Sequence, residues 1–223
     1  VDPGGPEGIP PKPFGVSTGR LEAFSDGVFA IAITLLVLDI HVPEPGSGQL
    51  GHELLAQWPS YAAYVISFIT IGIIWMNHHA AFSRLRAVDH SILIWNLLLL
   101  MGVGILPFTT SLMATYLKEG SGEDLAAAIY GASFLVMGAI FVLANRQILF
   151  RRPGLLREPM PAAAARRTLS YAAFGQIPYV LAVVLAFVSP YITLAICAAC
   201  AVYYSLPVAS RAGDRDQSGA NIA

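Results

Sequence analysis

The sequence predicts an all-α, polytopic membrane protein with six transmembrane helices, and three observations carry that reading. Of its 223 residues, 56 % are hydrophobic and only 12 % charged, whereas soluble domains carry about 25 % charged residues. Apolar stretches of bilayer-crossing length recur along the chain, separated by short breaks rich in Gly, Pro and charge. Of thirteen Lys and Arg, all but Lys118 fall in the N-terminal lead, the 2–3 loop, the 4–5 loop or the tail, with their helix-end flanks. Those regions share one side of a six-span chain, so the positive-inside rule places both termini in the cytoplasm. A net charge of −1 offers no reason to expect a nucleic-acid partner.

Residues 1–17 hold five prolines and four glycines and are expected to form a disordered lead, without the basic-then-apolar pattern of a cleavable signal peptide. Ser17 or Thr18 can cap the first helix, with Glu22 in its first turn. A Pro/Gly-broken loop, His41 to Gly51, leads to a second span over about Glu53–Phe82, densest between Tyr61 and Trp75. It ends in Trp75-Met76-Asn77-His78-His79 and a basic turn with Arg84 and Arg86. The third span covers about His90–Tyr116, and Gly102, Gly104 and Pro107 predict a kink or tight contact in its middle. The fourth runs from Leu125 to about Leu149. Six arginines then crowd the loop Arg146–Arg167, either as topogenic charge or as a surface touching anionic lipid. The fifth span (about Thr168–Val188) contains Pro178, and Ser189-Pro190 turns the chain into a short sixth, Tyr191–Leu206. The six-helix transmembrane region is thus 18–210, with a polar tail over 211–223. Cys197 and Cys200 lie in an apolar run without a second ligand pair, which suits core packing better than a metal or redox site.

The first span, RLEAFSDGVFAIAITLLVLDI (Arg20–Ile40), holds the unusual chemistry. A carboxylate at the centre of a membrane helix costs about 2.5–3.5 kcal/mol on insertion scales, so Asp26 is either functional or clasped to a partner such as Arg20. At 3.6 residues per turn, Phe24, Gly27, Ile31, Leu35 and Leu38 form one stripe with Thr34 at its edge. Ser25 and Asp26 point away from it to either side. On geometry alone the stripe can face lipid or other copies of the chain.

Arg20-x-x-x-Phe24-Ser25-Asp26 at the start of a first transmembrane helix resembles the signature of the transmembrane-protein-175 family, the potassium-permeable channels of endolysosomes with shorter bacterial homologues. The next residues, Gly27 to Leu36, resemble its bacterial branch, which implies a bacterial plasma-membrane location. The resemblance implies a homo-oligomer, a tetramer in the family, whose pore is lined by helix 1. It places Ile31, five residues after Asp26, at the narrowest apolar layer, Leu35 and Leu38 at the next layers, and Thr34 at a hydroxyl layer favouring potassium. Apolar rings of this kind gate by dewetting. For Thr34 the alternative is a hydrogen bond back to the carbonyl of Ala30.

The resemblance also implies a structural network in which Arg20 and Asp26 bond to His, Asn and Trp groups of neighbouring helices. The candidates near the same membrane face are Ser25, Asn77, His78, His79, Asp89, His90, Trp95 and Asn96. A proton-sensing or relay role for the histidines is the alternative. A metal-dependent enzyme is disfavoured, because adjacent His78 and His79 point about 100° apart on a helix. The sequence holds neither a TVGYG-like carbonyl filter nor an Arg at every third position of a span, so strong potassium selectivity and voltage sensing are not expected. The expected activity is therefore passive potassium-permeable cation conduction with weak to moderate selectivity over sodium. No cofactor or enzymatic activity is expected, and lipid is the surrounding partner. The competing reading is a proton-coupled secondary transporter built on Asp26, against which stands the lack of an internal inverted repeat.

Overall fold

Lipid-soluble helices must satisfy every backbone group internally, and the chain does so with nine α-helices among the described residues. A computed structural model describes residues 17–43 and 49–206; the expected lead before Ser17 and the 211–223 tail lie outside them. Helix α1 spans Thr18–Leu35 and continues as a 3-10 turn, Leu36–Asp39. Ser17 rather than Thr18 caps it, accepting from the Arg20 amide, which leaves Glu22 in the second turn. Then come α2 (Leu50–Ala56), α3 (Trp58–Phe82), α4 (His90–Gly104), α5 (Leu106–Glu119) and α6 (Glu123–Arg146). The last three are α7 (Ala162–Phe174), α8 (Ile177–Leu185) and α9 (Pro190–Ser205).

Five helical stretches are long and apolar enough to cross a bilayer: α1 with its 3-10 turn, α3, α4 with α5, α6 with the π-turn that prolongs it to Arg151, and α7 with α8. Helix α9 is apolar but shorter, at 16 residues. The expected second span is divided: α2 is a separate helix, and α3 starts only at Trp58 because Pro59 suits a first helical turn and no position deeper in a helix. The third span breaks between Gly104 and Leu106, ahead of Pro107. The fifth begins six residues earlier than the sequence pattern indicates, at Ala162, and breaks at Gly175-Gln176 ahead of Pro178. Its alanine-rich start is polar on average yet strongly helix-forming.

Helix α6 is the centre of the bundle, packing on α4, α5, α7, α8 and α9. Tyr130, Phe134 and Met137 on it are buried, and Cys197 and Cys200 of α9 lie in the same core as free thiols. Gly138 of α6 has the Gln176 side chain where a Cβ would stand, so a larger residue there must turn that side chain aside at the break in the fifth span. Mid-bundle, Ser67 bonds to Thr110 (2.8 Å) and Tyr130 (3.0 Å), and Thr109 donates to Ser133 (3.1 Å). These hydroxyls cross-tie α3, α5 and α6, where no water competes for them. Only their residue type within apolar spans hints at them in the sequence.

At one end a second core gathers Leu21, Phe82, Leu85, Val88, Ile92 and Leu156 with neighbours. Here the α3–α4 and α6–α7 connections pair through an antiparallel bridge between Leu85 and Leu156.

Candidate functional site

Consecutive residues on an α-helix diverge by about 100°, and Phe24, Ser25 and Asp26 use that divergence to face three different surroundings. Phe24 is exposed, Ser25 is completely buried, and Asp26 reaches sideways to α3. One tripeptide thereby joins an open face of α1 to two of its neighbours.

The Ser25 branch is a closed chain of polar groups across three helices. The Ser25 hydroxyl donates to the Leu21 carbonyl at 2.9 Å, and the Asn96 amide of α4 donates to Ser25 Oγ at 3.0 Å. Asn96 Oδ1 accepts from His78 Nε2 of α3 at 2.8 Å. His78 stacks on Phe82 at 4.2 Å between ring centroids and tilts against Phe29 at 5.5 Å. Satisfied polar chains at buried helix contacts orient the helices, since each unmade bond would cost the desolvation of its group.

The Asp26 branch uses one strong bond. Trp75 Nε1 on α3 donates to Asp26 Oδ1 at 2.8 Å, and His79 stacks against Trp75 at 6.4 Å. The donor is thus Trp75 and not Trp95, which instead lines a small cavity with Asn96 and Asn145. Arg20 makes no ion pair with Asp26 among the described residues. Asn77 turns back to the Ile73 carbonyl of its own helix at 3.0 Å. Asp89 caps α4 and pairs with Arg152 at 2.8 Å. Of the expected polar network, therefore, Ser25, His78 and Asn96 meet directly, while Asp26 and His79 meet through Trp75. Trp75 closes the second span in the sequence, but its rotation relative to α1 is a property of the packing.

The stripe is left open. Phe24, Gly27, Ile31, Thr34, Leu35 and Leu38 are all exposed in a single copy, Ile31 by 61 % and Leu38 by 70 %. One other face of the same helix buries Leu21, Ser25, Phe29 and Ala32. Thr34 donates to the carbonyl of Ile31 at 2.9 Å, one residue later than the expected Ala30 bond. Its hydroxyl oxygen stays available on the stripe, because a hydroxyl that donates can still accept. No group of three or more His, Cys, Asp or Glu able to hold a metal occurs among the described residues.

Comparison with known proteins gives a consistent outcome. Residues 20–107 match the family described as endosomal/lysosomal potassium channel TMEM175. The chain is 48 % identical over 202 residues to a protein of Streptomyces collinus named as a potassium channel, covering 87 % of this chain and 96 % of the relative. Human TMEM175, named as an endosomal/lysosomal proton channel, is 36 % identical over 138 residues, which is 58 % of this chain and 27 % of the human protein. The crystal structure of a Chamaesiphon minutus protein, described as a homologue of the lysosomal potassium-selective channel TMEM175, superposes with a TM-score of 0.75 at 38 % identity. That superposition covers 84 % of this chain and 96 % of the homologue.

Proposed function

Because this chain belongs to the TMEM175 family, we propose that it is a potassium-permeable cation channel of the bacterial plasma membrane, assembled from several copies, a tetramer by family resemblance. Each copy contributes six spans with both termini in the cytoplasm, and α1 lines the pore. The observation that carries the reading is the open stripe on α1. A helix held along its Leu21–Ser25–Phe29–Ala32 face by α3 and α4 leaves the rest of its surface open, and the stripe gives that surface bulky apolar side chains and one hydroxyl. A lipid-facing stripe has no need of Thr34, or of the buried clasp that sets the rotation of α1. Around a symmetry axis, Ile31, Leu35 and Leu38 become stacked apolar rings, and Thr34 becomes a ring of hydroxyl oxygens.

Apolar rings gate by excluding water, and a hydroxyl ring offers a partial substitute for a cation's hydration shell. Selectivity of potassium over sodium is then weak to moderate, since hydroxyls on a helix surface are fewer and less fixed than a carbonyl filter. The Ser25–Asn96–His78 chain and the Trp75–Asp26 bond act as the structural mount of the pore helix.

The test is flux of potassium and sodium into liposomes holding purified protein, with and without an imposed proton gradient. Passive flux that modestly favours potassium supports the channel. Flux that appears only with a proton gradient overturns it in favour of a coupled transporter working through Asp26.

A further inference from the structure

The paired connections at the Arg-rich end of the bundle form more than a cover for the core. Around the Leu85–Leu156 bridge, the Arg86 amide donates to the Leu155 carbonyl at 2.9 Å and the Arg157 amide donates to the Arg84 carbonyl at 2.8 Å. Side chains alternate across an antiparallel pair. Leu85 and Leu156 go inward, 0 % and 6 % exposed, and Leu155, which ends a 3-10 turn, is buried beside them, whereas Arg84, Arg86 and Arg157 are exposed. Arg84 and Arg157 stand directly opposite each other, a spacing of about 5.5 Å between Cα atoms for such a pair.

Two of these guanidinium groups are fixed by reciprocal bonds. Arg86 Nε donates to the Gly154 carbonyl of the opposite connection at 2.9 Å, and Arg157 Nε donates back to the Leu85 carbonyl at 3.0 Å. Each bond spends one of five donors. The nearby carboxylate of Asp89 is already taken by Arg152, and no ion pair joins Glu158 to any of the three arginines among the described residues. Three cations are therefore gathered on a fixed ribbon, one of them without a side-chain partner among the described residues. Like charges repel, and an anion relieves that repulsion.

We propose that this ribbon binds the phosphodiester headgroup of an anionic phospholipid in the cytoplasmic leaflet. The ribbon starts two residues after α3 ends at Phe82, which places it at the bilayer surface, and exposed Phe150 on the adjoining turn is suited to the acyl boundary. Planar guanidinium groups match phosphate oxygens bidentately. The inference takes only the membrane orientation from the functional reading, and nothing about which ion permeates.

Native mass spectrometry of the purified full chain, incubated with phosphatidylglycerol or phosphatidylcholine, tests it. The expected result is retained phosphatidylglycerol without retained phosphatidylcholine, and about fivefold weaker retention for Arg84→Gln or Arg157→Gln. Arg84→Gln breaks no side-chain bond, so it keeps the test open should Arg157→Gln fail to fold. Arg166→Gln, equal in charge but off the ribbon, leaves retention unchanged. Equal retention of both lipids, or an equal loss in Arg166→Gln, overturns the proposal. Displacement of the lipid by millimolar inorganic phosphate also overturns it, because the ribbon is then a site for soluble anions.

Discussion

Trp75 and Asp26 are joined by a 2.8 Å indole-to-carboxylate hydrogen bond that ties the first helix to the third. Bonds to a charged acceptor are worth about 1.5–3 kcal/mol. Trp75→Phe keeps most of the ring area and removes only the donor. It should lower thermal stability in detergent by an amount in that range, while Trp95→Phe should cost clearly less. A larger loss for Trp95→Phe would mean that the carboxylate is held in another way.

Asn96 stands between two partners, and its removal strands His78 Nε2 while Ser25 keeps its bond to the Leu21 carbonyl. Asn96→Leu leaves buried His78 Nε2 without its acceptor, at about 1–3 kcal/mol. Lower oligomer yield in size-exclusion chromatography and a lower melting temperature are expected. A double-mutant cycle with His78→Leu should show coupling, because the second change removes a group already stranded. Additive losses would separate the two residues.

The stripe predictions concern conduction rather than stability, since these side chains are open in a single copy. If Ile31 forms the proposed apolar gate, Ile31→Asn should wet it, raising single-channel current and loosening selectivity. Unchanged current would remove Ile31 from the gate. Thr34→Ala deletes only a bond to its own helix and should leave the unfolding free energy within about 0.5 kcal/mol of the parent. Its reversal potential under potassium/sodium bi-ionic conditions should shift toward that of a non-selective pore.

Gly138→Ala places a methyl group against the Gln176 side chain. The atoms met are the amide end of a flexible side chain that can turn aside, and Ala favours a helix over Gly, so the loss should stay below about 1 kcal/mol. Gln176→Ala should recover most of that loss in the double variant, measured by thermal unfolding. No recovery would locate the strain in the backbone of the α7–α8 break.

The membrane-spanning stretches were legible in the sequence because bilayer thickness and backbone desolvation impose a length and an apolar composition that local residues alone satisfy. The breaks were legible in part for the same reason: proline acts locally, and Pro107 lies two residues after the Ile105 break. The start of the fifth span, at α7, was not, because its Ala and Arg residues lack the hydropathy of a span although they favour helix. Ser25, His78 and Asn96 were identifiable as polar groups at one depth.

The chain by itself thus determined where its apolar helices lie, which chemistry each carries, and which faces of α1 differ in character. Only the tertiary structure decided that Asp26 takes Trp75 and not Trp95 or Arg20, and that Arg86 and Arg157 brace each other's loops. Partner choice depends on the relative rotation and depth of helices far apart in sequence. Those are settled by packing over many side chains at once, and no single motif encodes them.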